Sequence, residues 1–244
     1  MPRFFTPTEN FDGNTVKILG DDARHIARAL RMAVGDEITV ADMQGREHLC
    51  RLVRIRDEEC ECEIIESHEG RTESPLFITL YMGYPKGDKL EVVIQKAVEL
   101  GASRIVPFES SRCIKRPKGD KIEKQTARLQ RIAEEAAKQC GRSRLALVTP
   151  PVSFKAAIEE AKDADLALFC YEGDGTRSMK EVLAEKKDAK SASVVVGCEG
   201  GFSLEEAGAA IDIGLIPVNL GPRILRCETA PTYALSAISF VFEL

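Results

Sequence analysis

Two hydrophobic rhythms divide the chain. Through roughly the first seventy residues, apolar positions alternate over short runs, and Asp36 to Val40, Glu47 to Ile55 and Cys60 to Glu66 each read as strands. Turn residues separate them at Met43-Gln44-Gly45 and Asp57-Glu58-Glu59. Asp21 to Arg31 interrupts the pattern with a helical period that Asp21 or Asp22 is placed to cap. Short strands with close turns predict a small β-barrel carrying one helix. From Pro75 the rhythm changes to strand-like runs alternating with helical ones. The strands are Leu76 to Met82, Arg104 to Phe108, Leu145 to Val148, Leu166 to Tyr171, Val194 to Gly197 and Leu215 to Leu220. Asp88 to Leu100 reads as a helix, with Asp88 as N-cap, Glu91 three residues on and Gly101 past its end. Lys121 to Cys140 keeps Leu129, Ile132, Ala133, Ala136, Ala137 and Cys140 on one face until Gly141 stops it. Further helices begin near Ser153, Ser178, Ser203 and Thr229, and Ser178…Glu181 and Ser203…Glu206 have capping-box spacing. These β-α units predict an α/β fold with a parallel sheet covered on both faces.

The rhythm changes in the polar stretch Ser67 to Ser74, which predicts two domains, residues 1–72 and 73–244. Composition narrows the class. With 44% hydrophobic and 30% charged residues in 244, the chain is a folded globular protein rather than a disordered one. A net charge of −5 excludes a histone-like coat for nucleic acid, although not a local basic face. The longest candidate span, Ala230 to Phe242, contains Thr, Ser and Tyr and is too short to cross a bilayer, so no membrane role is expected. The opening MPRFFTPTEN has no apolar signal core, and the eight cysteines form no C-x-x-C, which together predict reduced thiols in the cytoplasm. His48, Cys50, Cys60, Cys62 and His68 invite a zinc reading. Their H-x-C and C-x-C spacing fits alternating core positions of a sheet better, so no metal is expected.

Charge is unevenly spread. Asp57 to Glu69 holds seven acids and no Lys or Arg, a solvated edge that would repel nucleic acid. Between Arg112 and Arg131 lie eight basic residues, including Lys115 and Arg116, against Asp120 and Glu123. Arg24, Arg28 and Arg31 fall at i, i+4 and i+7, on one face of a helix beside His25. Either patch alone reads equally well as an ordinary solvated face. Two in two domains of a net-acidic chain point to a phosphate-bearing partner.

No Walker sequence or G-x-G-x-x-G follows a strand, and Gly83-Tyr84-Pro85-Lys86-Gly87-Asp88 lacks the Lys-Ser/Thr that phosphate cradling needs. Two other loops carry more. Val194 to Ser203 runs from a buried strand through Gly197, Gly200 and Gly201 into a capped helix, more glycines than a tight β-α turn requires. Leu220 to Thr229 also joins a strand to a helix and contains Arg223 and Arg226, where a simple connection needs no arginine.

GCEGGFSLEE resembles the GPEGGF[ST]-x-E-E motif of the 16S rRNA uridine-N3 methyltransferase family, one of the SPOUT methyltransferases. LGPRILRCETA is similar to that family's LGPRILR-x-ETA. IQKAVELGASRIVPF and EAAKQCGRSRLALVTPP resemble further family segments, and RFF and HIARALRMAVGD resemble its small PUA-like RNA-binding barrel. The resemblance spans essentially the whole chain. It implies a trefoil-knot α/β domain behind the barrel, S-adenosylmethionine as methyl donor, and 16S rRNA or the small ribosomal subunit as partner. It also implies a homodimer, and the C-terminal helix fits. Ala234, Ala237, Ile238 and Val241 form its sheet-facing stripe, while Leu235 and Phe240 fall outside and need other cover.

By this resemblance Gly197, Gly200, Gly201, Leu220, Gly221, Ile224 and Leu225 wrap the cofactor, and the strand end at Tyr171 and Glu172 forms a third wall. Arg226 would orient uracil or its developing oxyanion. Glu199 is either a base or a cofactor-positioning group, with simple bonding to loop N–H groups the alternative. Arg223 would serve phosphate or a subunit contact. Arg3, Arg24, Arg28, Arg31, Arg112, Lys115 and Arg116 are the expected RNA contacts. Two departures stand out: Cys198 where the family usually has Pro, and Cys227 where it often has Thr. A sulfonium donor is already activated, so the chemistry calls for no metal. The competing reading is a non-catalytic RNA-binding ribosome-assembly factor, which would have no use for a cofactor loop.

Overall fold

The computed structural model describes residues 1–114, 119 and 121–244. Two compact units result, Met1–Glu73 with Ala137–Leu145, and Ser74–Ala136 with Ala146–Leu244.

In the first unit six strands form one mixed sheet: β1 (Arg3–Phe5), β2 (Phe11–Asp12), β3 (Thr15–Leu19), β4 (Glu37–Ala41), β5 (Arg46–Ile55) and β6 (Glu59–Glu69). Their order is β1-β4-β5-β6-β3-β2, with β1 parallel to β4 and the other pairs antiparallel. The alternation seen in the sequence turns Ile38, Val40, Cys50, Leu52, Cys60 and Cys62 into a core that Phe4, Val16, Ile18 and Ile26 complete. The three cysteines are therefore packing residues. Among the described residues no group of His, Cys, Asp and Glu is arranged to hold a metal ion. Burial pushes the Cys50 and Cys62 thiols up to about 12, which keeps them protonated and inert. The first three strands escape notice in the sequence because two to five residues carry little detectable period.

The expected helix at Asp21–Arg31 is two segments. An α-helix, α1 (Gly20–Arg24), passes into a π-turn at His25–Ala29, and Arg31 lies beyond it at φ 51°. Neither Asp21 nor Asp22 caps the start, since cations claim both carboxylates: Arg24 takes Asp21, and Lys138 lies 2.8 Å from Asp22. Glu73 ties the segment after residue 137 to this unit. Its carboxylate accepts from the Arg142 guanidinium at 2.7 Å and from the Ser143 and Arg144 N–H groups at 2.9 and 3.0 Å. Burial would raise the Glu73 pKa, but these bonds outweigh it and hold the carboxyl below its ordinary range.

The second unit is an α/β layer structure. Its strands are β7 (Phe77–Gly83), β8 (Arg104–Glu109), β9 (Leu147–Val148), β10 (Val152–Ser153), β11 (Leu166–Cys170), β12 (Arg177–Ser178), β13 (Ser191–Val196) and β14 (Ile216–Asn219). The order is β10-β8-β7-β13-β11-β14-β12, with β9 also on β8, and every pairing is parallel. The helices are α2 (Lys89–Glu99), α3 (Lys121–Cys140, of which residues 121–136 belong to this unit), α4 (Phe154–Ala161), α5 (Met179–Glu185), α6 (Leu204–Asp212) and α7 (Thr229–Phe242). Among the described residues no helix is long and apolar enough to cross a membrane.

Two of the expected caps form. Ser203 and Glu206 make a full capping box on α6, and the Ser153 hydroxyl accepts from the Ala156 N–H. Asp88 and Ser178 occupy N-cap positions without a side-chain cap bond, so two of the expected caps are absent. On α7 the expectation for Leu235 fails too. It is fully buried beside Ala234 and Ile238, whereas Phe240 is 70% exposed and Val241 39%. The apolar arc is wider than a single i, i+3, i+4 stripe, because α7 packs against α2 and α5 as well as β13.

Candidate functional site

The parallel strands β13, β11 and β14 are neighbours in that order, so the three segments leaving their carboxyl ends converge. After β13 comes 197–203, after β11 Tyr171-Glu172-Gly173, and after β14 Leu220 to Glu228. They enclose a cavity of ≈ 520 Å³, inside the range of about 300–1,000 Å³ typical of small-molecule sites. Its position beyond the carboxyl ends of a parallel sheet is where such sheets bind ligands.

Each wall has a local cause. The 197–203 loop is pinned by Phe202, whose ring sits 4.5 Å from Phe169 and 5.6 Å from Phe154 in the main core. Gly201 stands at φ +62°, and a side chain there would meet the Glu172 carboxylate at 2.8 Å. At Gly197 an added Cβ would press on Gly201 and Phe202, so this wall is bare backbone. The loop backs onto β7, where a Cβ on Gly83 would lie 2.5 Å from the Cys198 nitrogen. In the third segment Gly221 takes φ +96°, and its N–H donates to Asn219 Oδ1 at 3.3 Å. Asn219 in turn donates to the Arg177 carbonyl at 3.1 Å, and the Arg226 carbonyl accepts from Thr229 and Ala230 to start α7.

The structure brings together Tyr171, Glu172, Gly197, Glu199, Gly201, Leu220, Gly221, Ile224, Leu225 and Arg226, with Arg223 and Cys227 beside them. Gly200 is not part of the lining. A Cβ there would run into Arg112 at 2.9 Å, and the Arg112 guanidinium donates to the Gly200 carbonyl at 2.8 Å. Gly200 thus lets a neighbouring loop approach rather than making room for a ligand, and Arg112 props the glycine loop.

Glu199 is committed to its surroundings. It accepts from the Lys86 N–H at 3.1 Å and pairs with Lys89 at 3.0 Å. Partial burial pushes its pKa up. Its own N–H, Lys89 and the Lys86 N–H outweigh that and hold the carboxyl below the ordinary range. A carboxylate so held is a weak base, which favours positioning over proton abstraction. The Arg223 and Arg226 guanidiniums have no hydrogen-bond or ion-pair partner among the described residues. Lys89 and Asn219, also in the lining, escaped the sequence reading, since one lysine after a helix cap and one strand-end asparagine carry no distinguishing signal.

Cys198 and Cys113 form a buried pair. Hydrogen bonds from Cys198, from the Ser110 hydroxyl and from the Ser110 N–H favour the thiolate at Cys113, while Cys198 keeps its proton.

The expected RNA contacts fare differently. Arg3 is 15% exposed, pairs with Glu47 at 2.9 Å and donates to the Arg142 carbonyl, which is a structural task. Arg24 lies 2.7 Å from Glu58, and Arg28 pairs with Asp57, so the acidic tract neutralises these arginines. Arg31 is exposed, yet its left-handed backbone after the π-turn breaks the expected single face. Lys115 and Arg116 lie outside the described residues.

A family model described as an RNA methyltransferase domain matches residues 72–239, and one described as an RNA methyltransferase PUA domain matches 18–65. The ribosomal RNA small subunit methyltransferase E of Bacillus subtilis is 34% identical over all of this chain and 98% of its own length. The chain belongs to the ribosomal RNA small subunit methyltransferase E family. A second member, from Synechocystis, is 32% identical over 94% of this chain and 74% of its own. The crystal structure of the Neisseria gonorrhoeae member bound to S-adenosyl methionine superposes with a TM-score of 0.89. It is 32% identical and covers 99% of this chain and 98% of its own. The α/β fold with its PUA domain is that of the family.

Proposed function

We propose that the chain transfers a methyl group from S-adenosylmethionine to N3 of one uridine in 16S rRNA. The observation that carries this is the cavity at the ends of β13, β11 and β14. It has bare glycine backbone on one side and, on the other, the Arg226 guanidinium, which has no polar partner among the described residues. The family relative that binds S-adenosyl methionine supports the choice of donor.

The residues present fit the donor. Leu220, Ile224 and Leu225 offer apolar cover, and at the glycine wall no side chain stands between a ligand and the backbone. The donor would supply an activated methyl on a sulfonium sulfur. The chain must then hold uracil in line with that methyl and stabilise the charge that grows on the uracil oxygens as the N3 proton leaves. Arg226 is placed for this, and Glu199 positions the loop. N3 lies on the Watson–Crick edge, so the target base must be unpaired or flipped out.

On this reading the first unit holds RNA with Arg24, Arg28 and Arg31, the boundary falls at 72/73, and the C-terminal part is the knotted one. The enzyme works in the cytoplasm as a homodimer. Support for the dimer is the apolar groove along α5 and α7, lined by Met179, Leu183, Tyr233, Phe240 and Val241. Sedimentation tests it, and a monomer at working concentration removes it. Calorimetry with S-adenosylmethionine, together with mass mapping of rRNA from cells lacking the protein, tests the activity. Donor binding and one missing methyluridine are expected. A protein that binds RNA but no donor would be an assembly factor instead.

A further inference from the structure

Lys89 opens α2, and its ammonium reaches two loops at once. It lies 3.0 Å from Glu199 Oε1, in the glycine loop, and 3.5 Å from Glu228 Oε2, at the end of the arginine loop. The sulfur of Cys227 is 3.9 Å away. These loops follow β13 and β14, which are not neighbours, because β11 runs between them. Among the described residues no hydrogen bond joins the two loops directly. The Lys89 side chain is therefore their polar link, from a third element.

We propose that Lys89 is a positioning residue that staples the two loops across the cavity and so sets the separation of its walls. The two carboxylates can be no farther apart than the sum of their distances to the shared ammonium. Both are held ionised: Glu228 by its own N–H, the Cys227 thiol and Lys89, and Glu199 by the bonds already described. Two like charges that close repel unless a cation sits between them. Isolated exposed ion pairs contribute little. Here the three side chains are 39%, 29% and 25% exposed and form one network, which makes the link stiffer. Cys227 completes it. Burial pushes its pKa up to about 12, so it stays a thiol and donates to Glu228 Oε2 at 3.3 Å, fixing that carboxylate against the lysine.

The consequence for donor binding rests on the methyl-donor reading of the cavity, whereas the staple itself does not. Hydrogen exchange on the donor-free protein reads the staple. Lys89→Met should speed amide exchange in both 197–203 and 220–228 by about tenfold, a coupling typical of side chains in one network. Lys89→Arg should stay near wild type. Adding Glu228→Gln to Lys89→Met removes the repulsion and should recover part of the protection, which loss of packing alone would not. Unchanged exchange in either loop, or no recovery, overturns the staple. Calorimetry supplies the second readout: Lys89→Met should weaken S-adenosylmethionine binding by about tenfold, with partial recovery on adding Glu228→Gln. If Lys89 acted only through its charge, removing it would tighten binding of the cationic donor and Glu228→Gln would then loosen it. Those opposite signs would also overturn the staple. A wild-type chain that binds no donor sinks the methyl-donor reading, and the exchange data still decide the staple.

Discussion

Arginine is treated in opposite ways by the first unit and by the cavity loop of the second, whose other arginines Arg104, Arg128 and Arg177 are paired with carboxylates. In the first, Arg3, Arg24, Arg28 and Arg54 each meet a carboxylate from the same unit, and the acidic tract that looked like a repelling edge supplies three of those partners. In the second, Arg223 and Arg226 project from a loop beside a cavity with no such partner among the described residues. Charge counted along a sequence does not distinguish these cases. What separates them is where the chain places its carboxylates. Asp57 and Glu58, in the turn between β5 and β6, meet Arg28 and Arg24 of the helical segment, whereas Arg223 and Arg226 leave the end of a parallel sheet in a loop whose nearby carboxylates Glu199 and Glu228 are already taken by Lys89. Availability for a ligand is thus a property of where strands end.

The contrast is broken in the first unit at Glu73. Glu73→Gln should destabilise the protein by about 1–3 kcal/mol, because it takes the charge out of the bonds that this carboxylate makes to the buried Arg142 guanidinium and to two N–H groups. Chemical denaturation measures this. Since the folded-state pKa of Glu73 is depressed, its contribution is present above the ordinary carboxylate pKa and lost as pH falls through the folded value. The gap between wild type and Glu73→Gln should therefore close on acidification. A gap that widened below about pH 4 would refute the pairing.

Arg226→Ala should lower turnover by about 10²–10³-fold, the usual loss on removing one group that stabilises developing charge. Donor affinity by calorimetry should barely move. Equal losses in both would make Arg226 a donor ligand rather than a uracil ligand.

Gly201→Val should cost about 1–3 kcal/mol, from a β-branched residue at φ +62° and its approach to Glu172, and should abolish donor binding. Gly200→Val acts differently: it displaces Arg112, so its effect on donor affinity should be matched by Arg112→Ala. Divergent affinities for those two variants would separate Arg112 from the glycine loop.

The smallest effect sharpens the comparison. Asp57→Asn frees Arg28, and if that face meets RNA the affinity should rise severalfold and the salt slope steepen by about one. Filter binding across a salt series measures both, and an unchanged slope leaves the Arg28 face as a solvated one.

Much of this protein was legible in order along the chain. The switch of period near residue 70, the α3 helix and its stop at Gly141, and the capping box at Ser203 all follow from local rules, because each depends on residues within a few positions. The two loops rich in glycine and arginine were also visible, since their composition exceeds what a turn requires. Tertiary structure decided the rest. That β11 inserts between β13 and β14 is what makes three distant segments into one cavity, and no local preference encodes strand order. The same reason placed Gly200 against Arg112 rather than in the lining, committed Glu199 to Lys89, and buried Leu235 in the core. Pairing energies act between residues far apart in sequence. Only the assembled sheet fixes which charge finds a partner and which is left for a ligand.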